Sequence, residues 1–115
     1  MNDGRLLAVR IPVLGWEADI SAEGCQRINA RILNISIDGV YLMTRHEFQP
    51  GSTIAMLVKS SKFYFSATAM IVRKDSHGVG ISFLDLNGFS RDLILNMVSR
   101  FFSEGISKLS LMTEY

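Results

Sequence analysis

The apolar residues of this chain change their period once, near residue 87, and that change constrains the fold more than any other feature. Up to residue 84 they fall in short runs that alternate with polar residues, the pattern of strands with one buried face. Beyond Asn87-Gly88, with Ser90 as the expected N-cap, Ile94, Met97, Val98 and Phe101 recur at i, i+3, i+4 and i+7. That is the stripe of an amphipathic helix, expected over 91–103. Pro12 and Gly15 interrupt the first run (5–20) and predict an edge or kinked strand. A turn at 21–24 leads into 25–37, where Ile28, Ala30 and Ile32 face one way and Arg27, Asn29 and Arg31 the other. Asp38-Gly39 signals a hairpin, with Gly39 expected to supply a positive φ. Further strands are expected at 40–44, 52–59, 63–73 and 79–84, with turns at Pro50-Gly51 and Asp75–Gly78. Phe63, Phe65, Ala67, Ala69 and Ile71 share one face. Six short strands followed by one helix predict a mainly β fold: a small antiparallel barrel without exposed edges, closed by a C-terminal helix.

The length of 115 residues suits one domain. No apolar run approaches the roughly 18–20 residues of a membrane span, and residues 1–13 lack the pattern of a signal peptide. Twelve Lys and Arg against eleven Asp and Glu leave a net charge of +1, which argues against non-specific nucleic-acid binding. Cys25 is the sole cysteine, so no internal disulfide or Cys-based zinc site is available, and a cytoplasmic setting is expected.

Enzyme signatures are missing from the sequence. His46 and His77 have no partner at metal-ligand spacing, and no GxSxG, P-loop or GxGxxG occurs. No catalytic residue, metal or cofactor is expected. The informative stretch is Asn34-Ile-Ser36-Ile-Asp38-Gly39. An asparagine amide both donates and accepts, so it can read a base edge. Ser36, two residues on, is expected on the same side of the strand, and Gly39 would let a ligand approach the backbone. An ordinary hairpin, with Asn34 and Ser36 bonding their own backbone, is the competing reading.

Residues 34–39 resemble the (D/N)xSxxG motif of PilZ domains, the bacterial cyclic di-GMP effector modules. The likeness runs through GRLLAVRIPV at 4–13, NISIDGVYLMT, FQPGSTIAMLV and ATAMIVRKDSHGVGISFLDL. It implies a six-stranded barrel of the split-barrel type across residues 11–86, an arginine-bearing arm at 1–10 and a helix at 88–104. It also implies a non-enzymatic receptor that holds cyclic di-GMP between the arm and the hairpin face, with Arg5, Arg10, Asn34, Ser36 and Gly39 as ligand residues. The family's arginine motif is similar to RxxxR, and Arg10 sits where its second arginine is expected. Four residues earlier stands Leu6, with Arg5 one place off. That departure motivates an alternative: a degenerate PilZ-like adaptor that binds a protein partner or fused domain through its C-terminal helix. Arg27 and Arg31 also match RxxxR, but within a strand three residues ahead of Asn34; they are expected to be solvated.

Overall fold

The computed structural model describes residues 9–22 and 26–113, with side chains as far as Phe101 and at Ser103. Arg5, Leu6 and Cys25 therefore lie outside the described residues. Among the described residues seven strands form: β1 (Ile11–Pro12), β2 (Glu17–Ala22), β3 (Ile28–Ile35), β4 (Gly39–Met43), β5 (Thr53–Lys59), β6 (Tyr64–Lys74) and β7 (Gly78–Asp85). A helix, α1, follows at Gly88–Thr113.

All pairings are antiparallel, and six strands close on themselves in the order β3-β2-β5-β6-β7-β4, with β4 returning to β3. The seventh strand, β1, is the front end of the kinked first strand. Ile11 and Pro12 lie opposite Ile35 and Asn34, whereas Glu17–Ile20 lie opposite Arg31–Ile28 on the same partner. Pro12 lacks an amide hydrogen and Gly15 takes φ 78°, so the strand breaks between them. Two bonds keep the broken ends on β3: Val13 N–H to the Leu33 carbonyl (3.2 Å) and Ile32 N–H to the Trp16 carbonyl (3.0 Å).

The inward residues of all these strands build one core, including Ile20, Ile32, Ile35, Val40, Leu42, Val58, Ile71 and Ile81. Burying each large aliphatic side chain contributes about 1.5–3 kcal/mol. The alternation expected over 63–71 holds: Phe65, Ala67, Ala69 and Ile71 are buried, and Phe63 packs edge-on to Trp16 at 5.0 Å.

Helix α1 adds Ile94 and Val98 to that core, but the stripe stops there, because Phe101 is exposed. The N-cap is Asn87, not Ser90. Asn87 Oδ1 accepts the Ser90 amide at 2.8 Å, and Ser90 lies buried inside the first turn. The cap thus stands three residues earlier than the expected one, where a side-chain oxygen can reach an orphan N–H of the first turn. At its other end the helix runs past residue 104, since 105–113 contain no proline to stop it.

The glycines of the hairpin and its neighbour have a role different from the expected one. Gly39 does not take a positive φ. It belongs to β4, buried against β7, where an added Cβ would collide with the Ile81 carbonyl. Gly78 meets the Leu42 carbonyl in the same way. These two positions let the β4 and β7 backbones approach closely at both ends of their ladder, Gly39 opposite Ser82 and Met43 opposite Gly78.

Candidate functional site on the outer wall

Asn34 faces outward because of a bulge. In an undisturbed ladder Ile32 opposes Leu42, and Asn34 would oppose Val40, which points into the core. The register instead shifts at Leu33, so Asn34 opposes Tyr41 and Ile35 opposes Val40. One extra residue reverses every side chain beyond it. Ile35 becomes fully buried and Asn34 comes to the outside. A second bulge does the same on β6. The register shifts at Val72, so Arg73 opposes Gly80 rather than the buried Val79.

These two shifts line up one row around the outside of the barrel. Pro12, Asn34, Tyr41, Gly80 and Arg73 lie opposite one another in turn on β1, β3, β4, β7 and β6. Arg10, just ahead of β1, reaches the row from its near end and donates from Nη1 to Asn34 Oδ1 at 3.0 Å. Arg73 reaches it from the far end. Gly80 has no side chain to obstruct it, and the Arg73 guanidinium carbon lies 5.4 Å from the centre of the Tyr41 ring. Tyr41 in turn donates its hydroxyl to Asp75 Oδ1 at 2.6 Å.

The electrostatics of the row follow from this geometry. The pKa of Arg10 is lowered, first by partial burial and then by the positive charge of Arg73; the carboxylate of Asp38 acts the other way. Asp75 is held down to about 2, mainly by the Tyr41 hydroxyl and then by the amides of His77 and Gly78. The same hydrogen bond raises the pKa of Tyr41.

Of the expected site residues, the structure brings together Arg10 and Asn34. Ser36 is not on the same side as Asn34. It lies beyond the end of β3 and is buried, its Oγ accepting the Asp38 amide (3.1 Å) while its own N–H donates to the Gly39 carbonyl (2.8 Å). Period-2 reasoning fails there because the chain has left the strand. Ser36 and Gly39 shape the hairpin instead of lining the row. Arg31 is exposed on β3 opposite Met43, and Arg27 lies on the far wall, where its charge acts on Asp19 and Lys59. A shallow groove on that wall is lined by Asp19, Ser21, Arg27, Ser66, Thr68 and Asp85, among others, none of them in the row.

Sequence reasoning missed Tyr41 and Arg73. The sign of the first bulge was present, since the apolar step from Ile32 to Ile35 is three where alternation requires two. For Arg73 no such sign exists, because no inward apolar residue follows it on β6 to betray the shift. Among the described residues no group of three potential metal ligands forms, and no helix is long and apolar enough to cross a membrane.

A closed six-stranded barrel with one C-terminal helix and a polar, cationic row on its outer wall belongs to the class of small-barrel domains whose outside carries the recognisable chemistry. The family model for the PilZ domain matches residues 8–100, and the chain belongs to that family. PilZ domains are generally non-enzymatic binding modules. The solved structures that resemble it include these three. Escherichia coli YcgR, crystallised in complex with c-di-GMP, is 14% identical with a TM-score of 0.70, over 90% of this chain and 49% of that one. The Bacillus subtilis inhibitor of motility MotI/DgrA is 17% identical with a TM-score of 0.69, over 84% of this chain and 50% of that one. An uncharacterized Legionella protein is 14% identical with a TM-score of 0.56, over 84% of this chain and 96% of that one. The chain thus spans about half the length of YcgR and MotI. No curated protein matches the sequence.

Proposed function

We propose that this chain is a cytoplasmic, non-enzymatic receptor for cyclic di-GMP, which it holds on the outer wall between Arg10 and the Asn34 hairpin face. The observation that carries this reading is the contact of Arg10 with Asn34. The two motif-derived residues meet 24 positions apart in sequence, on a family barrel, and they offer what the ligand requires. A guanidinium pairs with a phosphodiester, and an amide that both donates and accepts reads a guanine edge. Ser36 and Gly39 serve the ligand indirectly, by setting the shape of the hairpin that carries Asn34. The YcgR structure was solved with this nucleotide bound, which supports the choice of ligand. Binding would bridge the segment through Arg10 to the barrel and re-aim a protein partner or a neighbouring domain.

Isothermal titration of the protein with cyclic di-GMP tests the reading. The expected result is a micromolar or tighter constant and weaker binding at higher salt, with a stoichiometry near two nucleotides per chain marking a ligand bound as a stacked pair. Absence of heat, together with an unchanged melting temperature at high ligand, refutes it. The second reading, an adaptor that binds protein and no nucleotide, is favoured by one feature, Leu6 at the position of the family's first arginine. It takes over if the titration fails.

A further inference from the structure

The row contains a cation that the family motifs do not account for. We propose that Arg73 is the second arginine of the nucleotide site, reaching from β6 to do the work that Leu6 leaves undone. This inference rests on the cyclic di-GMP reading above.

The geometry places the two guanidinium groups over neighbouring strands. That of Arg10 is bonded to Asn34 on β3, and that of Arg73 lies on the ring of Tyr41 on β4, the residue opposite Asn34. Asn34 and Tyr41 are directly opposed positions of the row, and the two guanidinium groups are near enough for the charge of Arg73 to act on Arg10. Two like charges this close disfavour one another, consistent with the lowered pKa of Arg10. An anion between them relieves that repulsion.

Arg73 is also available. Its side chain is 66% exposed, and Asp75 Oδ2 stands 3.8 Å away, within ion-pair range but beyond hydrogen-bond distance. The other oxygen of Asp75 is occupied. It accepts the Tyr41 hydroxyl at 2.6 Å, the His77 amide at 2.9 Å and the Gly78 amide at 3.0 Å. Asp75 is therefore fastened to its own turn and to Tyr41, and holds Arg73 only loosely. Arg10 has no carboxylate within ion-pair distance among the described residues. Gly80 keeps the path open, because a Cβ there would lie 3.0 Å from both Cγ and Nε of Arg73. A guanidinium suits the position better than an ammonium, since it lies flat on an aromatic ring while its edge pairs with an anion.

The test is titration of the full chain with cyclic di-GMP at low and moderate salt, for wild type, Arg73→Ala and, as a control for bulk charge, Arg27→Ala. Arg73→Ala is expected to weaken binding about tenfold or more and to flatten its salt dependence. Arg27→Ala is expected to bind as wild type. Melting without ligand should match wild type in both variants. The inference is overturned if wild type binds and Arg73→Ala binds equally well, or if Arg27→Ala loses as much. If wild type itself does not bind, the cyclic di-GMP reading fails first and this inference with it, so the two failures are distinguishable.

Discussion

Replacing Gly39 by alanine separates two explanations of the same motif residue. If the glycine exists so that a ligand can approach the backbone, Gly39→Ala leaves the barrel intact and spoils binding. The structure assigns it to packing: a Cβ at position 39 would strike the Ile81 carbonyl, with Ser82 Cα also close at 3.1 Å. Both are backbone atoms of β7, so no flexible side chain can move aside, and the β4–β7 seam must open. Overpacking of this kind costs about 1–3 kcal/mol. Loosening one or two ladder bonds at that end adds about 1 kcal/mol each. A loss of about 3 kcal/mol or more follows, a large part of the roughly 5–15 kcal/mol that holds a domain folded. At about 4 °C per kcal/mol for a chain of this size, the melting temperature should fall by about 12 °C. Calorimetry or circular dichroism on the ligand-free protein reads this directly. Gly51→Ala is the control. Gly51 has φ 91° and nothing within 4 Å of its added Cβ, so only backbone strain of about 1–2 kcal/mol is incurred. A Gly39→Ala protein that melts with wild type while its cyclic di-GMP affinity is lost would refute the packing argument.

Other substitutions probe the site and its supports. Arg10→Ala should weaken cyclic di-GMP binding about 10–100-fold by titration, since a charge-assisted bond to phosphate is worth about 1.5–3 kcal/mol, while melting stays near wild type. Asn87→Ala removes the helix cap and should lower stability by about 1 kcal/mol in urea unfolding; no change would remove Asn87 as the cap. Asp75 has a folded pKa of about 2 against the ordinary 3.8, so the unfolded chain takes up the proton first as pH falls. Its stabilising share is complete above about pH 5 and is lost progressively as pH drops towards 2. The stability difference between wild type and Asp75→Asn should therefore shrink over that interval, whereas a constant difference would place the acid sensitivity elsewhere.

The barrel was legible in the sequence because its strands are short, separated by strong turn residues and patterned with period 2, and because the period changes before the helix. Those are local properties, and each strand carries its own. The resemblance to the motif also singled out Arg10 and Asn34, and the structure brings these two into contact. What tertiary structure alone decided is which way the key side chains point and which of them meet. A bulge is a property of a pair of strands, since an extra residue on one is extra only relative to its partner. The bulges at Leu33 and Val72 turned Asn34 and Arg73 outward and set them in one row with Tyr41 and Gly80. The same holds for Gly39, whose lack of a side chain is explained by the backbone of β7, some forty residues further along the chain. Ser36 left the strand one residue before period 2 would have brought it outside, and its hydroxyl turned inward to the Asp38 amide. Alternation along one strand can say which residues share a face. Only the closed ladder, in which each of the six barrel strands is paired on both sides, determines which face that is.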